Sequence, residues 1–478
     1  MVDFDPYTPI HELGRQIRAK EISSESLTKF YLDRIHKLDG KLHAFVEVTE
    51  DAALAQARSA DMELMAGNDK GPLHGIPYAV KDLYDVKGLA TRAGTTLLDN
   101  STASENAFVV TALNNQGAVM VGKTHTVQFA YGGVGINTQM DTPFNPWADE
   151  HFIPGGSSSG SGVAVGAALV PMALGSDTGG SVRIPASFNG VTGLKTTLGQ
   201  VSRRGVFPLS WSLDTVGPLT RDVEDARTVF RSLAIFDKGD PEMKVFRQPE
   251  EVAKVEELIS LQKYKIAYPT NVFFDSCDAS VQDSVQKSCA EFAALGAEVT
   301  HTEFDVAYDA LKLNPKGLVI AAEAYYLNRE FVDNHFDKLD PIVGYRLIKG
   351  KEVSATQYFD IKHGLDGIRN RALRFFERYD ALIVPTVMIP PTSVKHCLES
   401  VESYSTTNVN CLRNTAIGNM LNLCGITIPC GFNDLGMPIG LMIYGKPFDE
   451  IKIMHIAQAY QQRTRWHLNR PQLSLQKT

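Results

Sequence analysis

Serine hydroxyls crowd between glycines at two places close together in this chain. Residues 155–162 read GGSSSGSG and residues 175–181 read GSDTGGS, with the apolar run 163–174 between them. A flexible linker would not carry an apolar run between its loops. Glycines at this density also disfavour a helix or strand. The pattern predicts two tight loops pinned to one buried element, each offering hydroxyls and backbone N–H groups to a common point. A serine nucleophile and an oxyanion hole are built in that way.

Two shorter motifs compete for attention. Residues 117–124 read GAVMVGKT, a literal match to the phosphate-binding pattern G-x-x-x-x-G-K-[ST]. Such a loop must follow a strand and wrap its N–H groups around phosphates. Here the four intervening residues are themselves apolar and strand-like, after a helical segment, so a buried strand ending in a turn is expected. Residues 156–160 read GSSSG and match the G-x-S-x-G elbow, with Ser158 as its centre. That elbow needs a strand immediately before it, and residues 149–154 (DEHFIP) are poor strand material ending in proline.

The whole segment 155–195 closely resembles the signature of the amidase signature family, serine hydrolases acting on amides. The likeness rests on residues 155–161, 175–186 (GSDTGGSVRIPA) and 190–195 (GVTGLK), in that order. It extends to 74–82 (HGIPYAVKD), 117–124, 145–147, 213–218 and 427–432, and is weakest over 235–375. The resemblance implies an α/β protein with the amidase signature fold, a large mixed β-sheet covered on both faces by α-helices. It implies a single domain over 1–478, with N-terminal helices in 8–66, a signature core at about 70–230 and a variable region at about 235–375.

Carried across residue by residue, the resemblance makes Ser181 the nucleophile, Ser157 a bridging serine in a cis peptide, and Lys81 the base. It assigns the oxyanion hole to the N–H groups of Thr178, Gly179, Gly180 and Ser181, and offers Ala130 and Tyr131 as substrate contacts. The chemistry is coherent in its own terms. A serine hydroxyl needs a base, and neither loop contains a histidine. A lysine can serve when burial disfavours its charged form, and Lys81 ends an otherwise apolar segment. Its neighbour Asp82 need not pair with it, because successive strand residues point to opposite faces. Asp177 and Arg183 read as loop scaffolding, and Ser158, Ser159 and Ser161 as hydrogen-bonding loop residues. The implied reaction is cleavage of the C–N bond of an amide, urea or carbamate through an acyl-enzyme. The glutamine-hydrolysing component of the tRNA-dependent amidotransferase is the alternative within the family. A segment like RYDGVRYG, usual in that component, is absent from the middle of this chain. A nucleotide-binding protein using 117–124 is the alternative of another class.

The remaining sequence is consistent with an enzyme of this kind. Hydrophobic residues make up 44% and charged residues 21%, ordinary for a globular chain, and 478 residues suffice for a large core. The net charge of -8 disfavours nucleic acid and anionic membranes as partners. A small-molecule amide is the expected partner, and a homodimer is compatible with the sequence. No cofactor or metal is called for, since no H-E-x-x-H or similar ligand spacing occurs. The six cysteines form no C-x-x-C pair and read as structural thiols. No signal peptide or apolar run of membrane-spanning length is visible, which points to the cytoplasm.

Local patterns place the elements that must hold the site. Helices are expected within 8–66, capped at Ser23–Ser24, and over 49–67, 108–116, 281–295 and 450–466. Strands are expected at 76–80, 118–121, 265–268, 297–300, 381–385, 426–429 and 439–444, with a surface excursion over 235–263. This alternation favours a sheet with helices packed on it.

Overall fold

The computed structural model describes residues 4–250 and 259–473. Eleven strands form one mixed sheet: β1 Phe45–Val48, β2 Pro77–Lys81, β3 Val119–Thr124, β4 Met172–Asp177, β5 Thr192–Lys195, β6 Thr215–Thr220, β7 Lys265–Pro269, β8 Glu298–Thr302, β9 Ala381–Pro385, β10 Cys424–Phe432 and β11 Pro438–Gly445. Their order is β1-β3-β2-β4-β6-β5-β10-β11-β9-β7-β8. β2 runs parallel to both β3 and β4, and β7 runs parallel to β8 and β9. The other pairings are antiparallel.

The inner strands are apolar because both faces are covered. In β2, Tyr78 and Val80 enter one core while Ala79 enters another. In β4, Met172 and Leu174 divide from Ala173 in the same way. In β11, Ile439, Leu441 and Ile443 divide from Met442 and Tyr444. This two-residue alternation is the pleat expressed as packing.

Most expected elements stand within a few residues of their sequence-derived bounds, and Ala381–Pro385 matches as read. Ser23 caps the helix Ser24–Leu42 through a reciprocal bond with Ser26. The stretch 8–66 is not helical throughout, because β1 lies between two of its helices and pairs with the edge of β3. Of the charged segment 235–263, residues 251–258 lie outside the described residues.

The largest departure is in the glycine-serine stretch. Residues 155–162 are not one loop, since a helix runs over Ser159–Gly166. The apolar run is not one element either. It supplies the end of that helix, a turn in which Ala168 has φ 51°, and then β4. Propensity fails here because packing demands the small residues. A Cβ at Gly160 would collide with the Ala44 carbonyl and with His125. Ser161 within the helix donates to Leu174 O at 3.0 Å and lies 2.7 Å from the Thr124 hydroxyl. Burial of the whole helix offsets its weak intrinsic preference.

Candidate active site

Lys81 is the last residue of β2 and Asp177 the last of β4, so the two meet at the carboxyl ends of parallel strands. Ligands gather at that edge in open α/β sheets. The pleat continues through Lys81: it follows Ala79 in facing away from Val80, while Asp82 turns to the other side and meets Lys123 at 2.6 Å. Lys81 is completely buried, and its Nζ contacts Ser157 Oγ at 2.7 Å and Ser176 Oγ at 2.9 Å. Burial lowers its pKa to about 7, against the opposing charges of Asp214 and Asp177. A lysine so placed gives up its proton near neutrality and then offers a lone pair to a serine hydroxyl.

Ser157 follows a cis peptide bond from Gly156. Its carbonyl accepts Val127 N–H at 3.3 Å, and Gly156 N–H donates to Gly133 O at 2.8 Å. Ser158 fastens the two serine-bearing segments together. Its N–H donates to Ser181 O at 3.2 Å, and its hydroxyl lies 3.3 Å from both the N–H and the carbonyl of Ser176. Ser158 is therefore a buried staple, in keeping with the absence of a strand before it. Ser159 departs from its expected bonding role, since its hydroxyl has no partner among the described residues. Ser159 and Ser161 lie on the helix rather than in a loop.

Ser181 is 4% exposed and opens the turn that leads into the helix Arg183–Asn189. The turn is shaped by Asp177. Its carboxylate accepts Gly180 N–H at 2.9 Å and Val182 N–H at 3.2 Å, and pairs with Arg183 at 2.9 Å. Burial alone would raise the Asp177 pKa, but the charges of Arg183 and Lys195 and the hydrogen bonds from Arg183 and Asn419 overcome it and hold the group at about 2. Arg183 also donates to Tyr444 OH at 2.8 Å and Asn419 Oδ1 at 2.7 Å. Asp177 and Arg183 are thus scaffolding. Gly180 adopts φ 137°, and a side chain there would collide with Thr415. Its N–H, expected to face an oxyanion, is engaged by Asp177 in this structure, which distinguishes it from the other three donors of that set.

Two site residues had no role from the sequence alone. Ser176 lies inside the conspicuous motif, but its contact with Lys81 required the strand ends to be placed. Asp214 belongs to the segment 213–218, whose likeness to the family carried no function. It is partly buried and accepts Thr178 Oγ1 at 2.6 Å and the N–H groups of Leu209 and Ser210 at 2.9 Å. Burial pushes its pKa up.

A cavity of ≈ 180 Å³ reaches this edge, with Ala130, Ser176, Arg203, Phe207, Asp214 and Thr215 among its lining. Ala130 is where a substrate contact was expected. Tyr131 does not line this cavity; it is buried with the Arg346 guanidinium 3.8 Å from its ring centre. The nucleotide pattern at 117–124 contributes β3 itself, and Lys123 is completely buried against Asp82 and Ala90 O. Cys397, Cys411, Cys424 and Cys430 are buried and unpaired. Among the described residues no cluster of His, Cys, Asp and Glu could hold a metal ion, and no helix is long and apolar enough to cross a membrane.

This fold is that of the amidase signature enzymes. The Amidase family model matches residues 26–454, and the chain belongs to that family of enzymes acting on C–N bonds. It is 36% identical over 448 residues to 2-amino-5-chloromuconic acid deaminase of Comamonas testosteroni, covering 93% of this chain and 94% of that protein. It is 33% identical over 490 residues to a glutamyl-tRNA(Gln) amidotransferase subunit of Geobacter sp. (strain M21), covering 97% of this chain and 99% of that protein. The solved peptide amidase of Stenotrophomonas maltophilia superposes with a TM-score of 0.79 at 28% identity, covering 98% of this chain and 99% of that one.

Proposed function

We propose that the protein hydrolyses the C–N bond of a small amide through an acyl-enzyme on Ser181, with Ser157 as proton bridge and Lys81 as base. The observation that carries this reading is a completely buried lysine whose Nζ lies 2.7 Å from the Ser157 hydroxyl and 2.9 Å from that of Ser176, where burial lowers its pKa to about 7. Neutral Lys81 draws the proton of Ser157, which draws that of Ser181, and Ser181 Oγ attacks the amide carbon. The N–H groups of Thr178, Gly179 and Ser181 are the donors for the oxyanion. Such a donor is worth about 3–4 kcal/mol in a comparable hydrolase. Gly180 joins them only by sharing the N–H that Asp177 holds. Ser157 then hands its proton to the leaving nitrogen, and the amine departs. Water, deprotonated along the same relay, adds to the ester carbon and releases the acid with Ser181 restored.

The decisive test is labelling by a fluorophosphonate probe, together with ammonia release from a panel of aliphatic, aryl, peptide-terminal and urea-type amides. Both should disappear in Ser181→Ala; labelling that persists at another residue overturns the assignment. A second reading, glutamine hydrolysis on behalf of a partner protein, draws support from the full-length likeness to the glutamyl-tRNA(Gln) amidotransferase component. Glutamine belongs in the panel for that reason. Turnover of glutamine far above every other amide selects this second reading.

A further inference from the structure

Glu323 stands on the helix Leu318–Asn334, outside the segments that carry the family likeness, and it is buried. Its carboxylate accepts the hydroxyls of Ser210 and Ser212, the Ser212 N–H at 3.1 Å and the Tyr358 OH at 2.6 Å. A carboxylate offers about four acceptor sites, and these donors are enough to fill them. Lys362 feels this charge, but Glu323 forms no ion pair among the described residues. A buried carboxylate without a counterion costs stability unless hydrogen bonds satisfy it. All of those bonds but the one from Tyr358 come from one short loop.

That loop ends in Asp214, which ties it to the reacting atoms. One oxygen of Asp214 closes the loop by accepting the N–H groups of Leu209 and Ser210, and the other accepts Thr178 Oγ1 at 2.6 Å. A continuous chain of hydrogen bonds thus runs from Glu323 through Ser210 and Asp214 to Thr178, in the same turn as Ser181. Leu209 and Asp214 also line the cavity that reaches Ser176. The helix of Glu323 touches this region again one turn to either side. Ile320 comes within 3.8 Å of where a Cβ at Gly179 would stand, and the Tyr326 ring lies 5.4 Å from that of Trp211. Residues three apart are neighbours on a helix surface, so one side of this helix meets the nucleophile loop and the loop behind it together. Arg203 also fastens the second loop, at the carbonyls of Trp211 (2.7 Å) and Asp214 (3.3 Å).

We propose that Glu323 is a positioning residue for the oxyanion hole. By holding residues 209–214 it fixes Asp214, and Asp214 fixes Thr178, whose N–H is one of the oxyanion donors assigned above. A carboxylate suits this task because it takes both serine hydroxyls and a backbone N–H at once, whereas an amide in its place has a single acceptor oxygen. This rests on the acyl-enzyme reading above.

The test compares the native enzyme with Glu323→Ala and Glu323→Gln on the best amide of the panel. A trifluoromethyl ketone with the same acyl group serves as inhibitor, since its oxygen becomes negative only when Ser181 adds to it. Glu323→Ala should lower kcat by roughly 10- to 100-fold with KM within about threefold of native, as expected when a contact made in the transition state is displaced. The ketone Ki should rise by a matching factor, and Glu323→Gln should recover part of both. Binding of the intact amide to Ser181→Ala, measured by calorimetry, should not change on adding Glu323→Ala. A loss carried by KM, a ketone Ki that stays native, or native activity in Glu323→Ala overturns the role of Glu323 and leaves the acyl-enzyme reading standing. If Glu323→Ala fails to fold, the double variant Ser210→Ala, Ser212→Ala takes its place, with the same expected and overturning results. If no amide is hydrolysed, the acyl-enzyme reading fails first. Amide hydrogen exchange then decides the coupling: faster exchange over 209–214 and 177–180 in the variant supports it, and native exchange over 177–180 overturns it.

Discussion

Lys81 and Lys123 stand near the ends of neighbouring parallel strands, in adjacent register, and both are completely buried. Lys123 has the Asp82 carboxylate at 2.6 Å and the Ala90 carbonyl beside it. Among the described residues Lys81 has the hydroxyls of Ser157 and Ser176 as its hydrogen-bond partners, and burial lowers its pKa to about 7. The pleat decides which lysine receives the anion. Asp82 follows Lys81 in sequence yet faces the other way, so it serves the lysine of the next strand. The difference separates a structural cation from a base. Lys123 is held in an ion pair, whereas burial among hydroxyls disfavours the charged form of Lys81.

The strongest way to break this comparison is to remove the base. Lys81→Met should lower kcat on any amide substrate by roughly 10³-fold or more, the loss of general-base assistance with the relay behind it. Lys81→Arg should not restore activity, since a guanidinium stays protonated. Activity within tenfold of native in either variant would refute the assignment of Lys81 as base. Lys123→Met should instead cost stability, about 3–5 kcal/mol, because it strands the Asp82 carboxylate in the core. Denaturant melts would show this loss, with recovery expected in the double variant Lys123→Met, Asp82→Leu. A Lys123→Met protein of native stability and no activity would reverse the roles of the two lysines.

The pH dependence sharpens the same contrast. kcat/KM should rise with pH and be half-maximal near 7, where Lys81 loses its proton. Unfolded Lys81 titrates near 10.5, so between about 7 and 10.5 the unfolded chain holds a proton that the folded one lacks. The stability of the native protein relative to Lys81→Met should therefore increase with pH across that window. The smallest effect is expected from Asp214→Asn. Removing this charge withdraws support for the ammonium form and should move the rate limb to lower pH, by less than about one unit. A limb that moves upward contradicts the assigned direction.

Much of this was legible before any coordinates. The two serine-bearing segments announced hydroxyls and N–H groups at one place, and the family likeness supplied roles for Ser181, Ser157 and Lys81. Alternation alone warned that Asp82 need not pair with Lys81. The elements read least well were those set by distant contacts. The helix Ser159–Gly166 contradicts glycine propensity because its neighbours Ala44 and His125 leave no room for larger residues. β1 is four residues long and exists by pairing with β3. The middle region resisted interpretation because it meets the site through single residues far along the chain, such as Ile320, whose side chain comes within 3.8 Å of where a Cβ at Gly179 would stand.

The sequence by itself pointed to the proposed reacting groups, because the motifs that carry the family likeness are local, a short stretch plus one strand end. Tertiary structure alone decided the state of those groups. Only the folded sheet brings Ser176 to Lys81, gives Asp82 to Lys123, turns Asp177 toward Gly180 and sets Asp214 behind Thr178. Protonation and hydrogen-bond direction depend on distance and dielectric, and those are fixed by residues far apart along the chain.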